Sequence, residues 1–180
     1  LSSVQIGALR TASLAGLSTD QIAALSSTNV KGLSSAQLLA LSSSQIAALE
    51  TDDFAQLSSA QLGALSSKQG AGLTTAQLAS LDSAELSKLS TAAVQGLSTA
   101  AIAGLSSTQV PGLTTAQLAA WTTSVQIQAL ESADLAQLSS AQVKSLSSAQ
   151  IGFLSTAQVV ALSSQQISAL ETKTFAALST

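Results

Sequence analysis

Few residues in this chain have the types and spacing that chemistry requires. Asp52 and Asp53 stand side by side, and Asp82 precedes Glu85 by three positions. Grouped carboxylates of this kind are calcium ligands in other settings, but neither pair lies in an EF-hand loop or a glycine-rich calcium nonapeptide. Solvated surface charge, or the preference of acids for helix N-termini, accounts for both pairs more simply. Lys68 and Lys88 lie among many serines, the raw material of a Ser-Lys nucleophile. Histidine is absent, which removes the usual general base and the charge switch near neutral pH, and no G-x-S-x-G elbow is present. Cysteine is absent too, so there is no disulfide framework and no thiolate metal site. Trp121, the only tryptophan, could offer a stacking platform to a sugar, but it occupies a slot that elsewhere holds a core leucine, so a space-filling role is favoured. The expectation is no catalytic residue, no cofactor and no metal.

Composition narrows the partners. Six basic and nine acidic residues give a net charge of −3, and the basic residues (Arg10, Lys31, Lys68, Lys88, Lys144, Lys173) are scattered. Phosphate backbones need clustered Lys and Arg, so nucleic acid is not an expected partner. The mean hydropathy is +0.43, yet Ser, Thr or Gln interrupts every apolar run within a few residues. A spanning helix needs about 20 mostly apolar residues, so no membrane span is expected. No signal peptide is visible.

The elements that would carry any surface come from one repeated unit. Leu recurs every eight residues from Leu1 to Leu113, Trp121 takes the next slot, and the series resumes at Leu130 and runs to Leu178. Counting that slot as position one, position three is Ser or Thr in every copy, from Ser3 to Thr180. Position five is mostly Gln, and position six is Ile, Leu or Val, with Phe54, Phe175 and Gly70 as departures. Position two is usually Ser or Thr, but holds Arg10, Glu50, Asp82, Glu131 and Glu171.

An eight-residue period cannot hold a stripe on a continuous helix, because each copy is rotated by about 80° from the last. As a β-strand it would send positions one and six to opposite faces, and it is rich in Ala and Gly; a β-solenoid stays the weaker alternative. One short helix per octad fits. In Leu17-Ser18-Thr19-Asp20-Gln21-Ile22, Ser18 as N-cap puts Gln21 at N3 to complete a capping box, with Leu17 and Ile22 as a hydrophobic staple. The invariance of position three leaves it as a rival N-cap, or as a hydroxyl bonded to a neighbouring copy. Gly at position eight (Gly16, Gly32, Gly72, Gly96, Gly104, Gly112) suggests a left-handed residue at the helix end.

Helices this short do not persist alone in water. The copies must stack, as in solenoids, where neighbouring interfaces supply the stability. The expected fold is all-α: a single superhelix of short helices over 1–180, with Leu and Ile/Val inside and Ser, Thr and Gln outside. A one-residue register shift falls within 121–129, and the chain reads as a segment of a longer array. The number of octads per turn is left open, although copies with an acidic position two or a Phe, starting at 49, 81, 130 and 170, hint at a period of four to six. Gly70 empties a core slot and predicts a soft point around 68–72. Pro111 predicts an early helix end. No charged residue occurs between Leu89 and Leu130, a tract suited to lateral packing.

The units Leu17–Leu25 and Leu113–Ala120 resemble the short repeats of some very large secreted proteins of Gram-negative bacteria, which are often adhesin-like or linked to type I secretion. The resemblance implies an extracellular or cell-surface location and a spacer or adhesive stalk, although the calcium-binding repeats typical of such proteins are absent. The expected function is therefore structural and non-enzymatic: a stalk, or a filament or surface layer formed by end-to-end or lateral self-association. The repeat starts and stops in mid-pattern, and uncapped solenoid ends tend to associate. An adhesin-type module binding peptide or glycan, and an ice-binding surface formed by the Ser/Thr rows, are the alternatives.

Overall fold

A computed structural model describes residues 2–170; Leu1, Glu171, Lys173, Phe175, Leu178 and Thr180 lie outside the described residues. Within them the chain forms 20 short α-helices and one 3-10 segment, with no strand, one element to each octad. This is the expected helical solenoid, and the β-solenoid alternative falls away. No helix among the described residues is long and apolar enough to cross a membrane.

The local reason is the capping box. Helices begin at position three, and position two is the N-cap, as at Ser18 before Thr19–Ala23. In fourteen of the twenty helices the N-cap side chain accepts the N3 backbone N–H while the N3 side chain accepts the N-cap backbone N–H. Each helix closes after four to six residues. The position-six N–H reaches the N-cap carbonyl, as Leu38 does to Ser34 at 2.9 Å, and the next position-one N–H returns to position six, as Leu41 does to Leu38 at 3.1 Å. Position one and the following N-cap are then extended, as at Leu49 (φ −62°, ψ 128°) and Ser42 (φ −72°, ψ 164°).

No residue among those described has a positive φ. The left-handed glycine anticipated at position eight is therefore not found: Gly32 and Gly104 are right-handed, with φ −77° and −86°. The corner is made by extended residues, so the glycines serve another purpose. A Cβ on Gly32, Gly72, Gly96 or Gly112 would collide with the backbone of Ser3, Ser43, Ser67 or Ser83, respectively. Gly at these positions lets one turn of the superhelix lie directly on the one before.

Those pairings reveal the pitch. Contacting helices are three units apart along the chain, as for Ser67–Gly70 with Thr91–Gly96, and side-chain bonds to backbone join residues 28 to 31 apart. Cross-turn bonds at separations of 25, 28 and 31 residues put between three and four octads in each turn. The copies with an acidic position two or a Phe, spaced four to six octads apart, do not mark this turn. Positions one and six line a single continuous core, from Ile6 and Leu14 to Leu162 and Leu170.

Two local expectations change. Gly70 does not leave a soft void: the backbone of Ala93 packs where its Cβ would be, and Gly70 is buried. Ala93 is also one of the copies lacking Gln at position five, so the two departures fit one another. Pro111 does not end a helix early. Its unit forms no α-helix and closes instead as the 3-10 segment Val110–Gly112, because proline supplies no N–H for the helical ladder.

The close approaches predict a contrast between glycines. Gly72→Ala should cost about 1–3 kcal/mol through forced backbone displacement. Gly16→Ala should be neutral or stabilising by up to about 1 kcal/mol, because its Cβ would meet nothing nearer than 3.5 Å. Thermal or denaturant unfolding of the two variants checks the difference.

Candidate functional site

Glutamine is where the structure departs most from expectation. Residue type alone puts position five outside with Ser and Thr, yet Gln37, Gln45, Gln61, Gln69, Gln77, Gln109, Gln117, Gln142, Gln150, Gln158 and Gln166 are all buried. Their amides work in two directions. At Gln77, Oε1 accepts the Thr74 N–H at 3.0 Å, completing its own helix cap. Its Nε2 donates to the carbonyls of Ile46 at 2.8 Å and Leu49 at 2.9 Å, one turn back. Gln117 repeats this with Thr114, Leu86 and Leu89. The chemistry fixes the amide orientation: a backbone N–H needs an oxygen, and two carbonyls need a nitrogen donor. Each glutamine thus caps the start of one helix and the end of another, and no buried side-chain N or O among the described residues lacks a partner.

The extra residue of the Trp121 unit is absorbed by the same seam. Trp121 is buried, and its indole N–H donates to the Val94 carbonyl at 3.0 Å. Its helix starts late, at Ser124 behind Thr123. Seam bonds that span the insertion lengthen by one residue: Gln126 reaches Leu97, Gln142 reaches Leu113 and Gln150 reaches Trp121, each 29 back. Gln158 returns to 28 at Leu130. The core-filling reading of Trp121 is correct, and the ring is no surface platform. Leu118, Trp121, Ile127, Leu130, Leu135, Leu138, Leu146 and Leu154 leave a void of only about 10 Å³, apolar and too small for a stable water.

The acidic residues are absorbed locally as well. Asp82 and Glu85 form a reciprocal capping box, at 2.8 and 2.9 Å. Asp53 takes the glutamine slot and accepts the Ser27 hydroxyl from a unit 26 residues earlier. Outside the Trp121 unit position three is not the N-cap, but its hydroxyl does reach another unit, here and at Ser35, which donates to the Ala60 carbonyl at 3.3 Å. No group of three His, Cys, Asp or Glu suited to a metal occurs among the described residues. Asp134 also takes the glutamine slot; burial first, and the neighbouring Glu131 second, push its carboxyl above the usual carboxylate range.

The surface carries an open depression between two turns. Thr99, Ala100 and Ala103 on one turn and Val125, Gln128 and Ala129 on the next line an open groove of about 440 Å³. It lies in the uncharged tract, and Val125 is 58% exposed. The lining is small and nearly featureless: it could receive an apolar edge but presents no charge to orient a ligand.

A buried core of Leu and Ile, turns joined by glutamine amides and an outer face of Ala, Ser and Thr define a helical repeat solenoid. The model of the ALTTAQ repeat matches residues 1–33, 22–51, 46–83, 78–115, 127–164 and 154–180, and the chain belongs to that family. Leu-Thr-Thr-Ala-Gln occurs literally at 73–77 and 113–117. The matched stretches skip 116–126, where Trp121 and its longer unit fall. No curated protein and no solved structure matches the chain.

Two outcomes follow for the seam. Gln77→Glu keeps the capping oxygen but sets a carboxylate against two carbonyls, and should lower stability at neutral pH by about 2–4 kcal/mol; chemical denaturation reads this. The Asp134 carboxyl is raised in the fold, so its ionised form is disfavoured there: stability falls as pH rises through the carboxylate range and returns on acidification. Asp134→Asn should therefore melt higher than the parent at pH 7, and the advantage should fade below about pH 4.

Proposed function

We propose that this chain is a non-enzymatic structural spacer: an array whose length is set by the number of octads, used as an extracellular stalk or as the unit of a filament or surface layer. The observation that carries the reading is the equivalence of the units. Each octad bonds only to the turns directly before and after it, most of them through the same glutamine geometry, as at Gln37, Gln77, Gln117 and Gln158. Nothing in such an arrangement sets a fixed length, which suits a spacer and does not suit a folded pocket. The pattern that joins turn to turn within one array could equally join one array to another, which supports the filament version. Lateral association through the uncharged tract 89–130 is the second route to self-assembly, with its exposed Val125 and alanine-lined groove as the contact.

A peptide- or glycan-binding adhesin module is the second reading, and the groove of Thr99, Ala100, Ala103, Val125, Gln128 and Ala129 is a candidate site for it. Its small neutral lining favours the spacer. Small-angle scattering on the purified chain, with electron microscopy across a concentration series, tests the proposal. A rod-shaped particle is expected, lengthening in discrete multiples if arrays join. A compact particle would reject the spacer, and monomers at every concentration would reject the filament version.

A further inference from the structure

The seam is not uniform. Glutamine is missing from position five in three consecutive units, those beginning at Leu81, Leu89 and Leu97, where Glu85, Ala93 and Ala101 stand instead. A carboxylate and two methyl groups offer no N–H. By the register of their neighbours, these three side chains would face the carbonyls of Phe54 and Leu57, Leu62 and Leu65, and Gly70 and Leu73. The side-chain bonds that remain across this interface are Ser90 Oγ to the Leu65 carbonyl and a long contact from Thr75 Oγ1 to the Ala100 carbonyl at 3.5 Å. Otherwise the two turns are held by apolar contact and by the close packing of Ala93 on Gly70. On either side the amide bonds return, at Gln61, Gln69 and Gln77 before and at Gln109 and Gln117 after. Three units are almost a full turn, so the gap runs most of the way round the superhelix.

We propose that the array is an extensible tether that lengthens under tension one turn at a time, opening first at the turn formed by residues 81–104. The inference rests on the spacer reading and adds a response to load. Tension along the superhelix axis pulls neighbouring turns apart, and directional hydrogen bonds resist that separation more than apolar contact does. Contacts reach only the adjacent turns, so a turn straightens when its own two interfaces part while the turns beyond stay closed, and the turn of residues 81–104 gives up glutamine bonds on one side only. Octads that lose their partners cannot persist as isolated helices of four to six residues. They straighten, and each turn gains about 85 Å, the difference between an extended chain at about 3.3–3.6 Å per residue and a packed turn about 10 Å high. The glutamine seam sets the force of each step, and the gap makes one step weaker than the rest.

The test is single-molecule stretching of the full chain held at its two ends. A ladder of equal steps, each the gain of one straightened turn, is expected, with the first at distinctly lower force. Ala101→Gln, behind the Ser98 cap, and Glu85→Gln, which keeps the capping oxygen for the Asp82 N–H, should each raise the force of that first step toward the others. Circular dichroism verifies that each variant folds; if buried Ala101→Gln does not, Glu85→Gln alone carries the test. One all-or-none rip, or a first step unmoved by the folded variants, would overturn the proposal. Either result leaves a rod-shaped particle in scattering untouched, so a failed tether is distinguishable from a failed spacer.

Discussion

The fold depends on what one primary amide does at position five. A short helix leaves backbone N–H groups unpaired at its start and carbonyls unpaired at its end, and in a chain of four- to six-residue helices these ends make up most of the backbone. Gln77 accepts with its oxygen at one helix start and donates with its nitrogen to two carbonyls at a helix end one turn away. Local secondary structure and long-range packing are therefore the same interaction. A capping box alone would stabilise single helices weakly; tying its other half to the preceding turn makes each helix conditional on its neighbours.

The departures from the consensus repeat are read most simply as substitutes for that amide. Trp121 supplies an indole N–H to Val94, Ser90 supplies a hydroxyl to Leu65, and Asp53 accepts from Ser27. Where no substitute exists, close packing takes over, as where Ala93 lies on Gly70. Asp134 is a poor replacement: it sits in a buried slot beside Glu131 with its charge disfavoured.

Much of the architecture was legible in the octad. The Ser18/Gln21 capping box, the alternation of position-one and position-six core residues and the necessity of stacking all follow from local rules and the cost of isolated helices. The inward turn of glutamine was not legible. Residue type alone favours exposure, and the buried acceptors that draw the amide in lie a full turn away in sequence, a distance that depends on the pitch. The role of Gly72 and Gly96 was missed for a similar reason: a glycine at a helix end suggests backbone freedom, whereas here it makes room for another turn. A signal for the seam did exist. Arg10, Glu50, Asp82 and Glu131 at position two each accompany a residue other than Gln at position five, namely Ser13, Asp53, Glu85 and Asp134. Position two leaves Ser or Thr only where position five has also left Gln, although position five changes alone at Asn29, Ala93 and Ala101.

A turn of between three and four units has a consequence for how such a chain can change in length. Duplicating or deleting one octad alters no unit internally, and every amide still finds carbonyls at its usual spacing on the turn before. Yet the change rotates everything downstream by about 100° around the axis. Slippage of the underlying gene by whole repeats therefore adjusts reach freely while re-aiming any feature carried farther along.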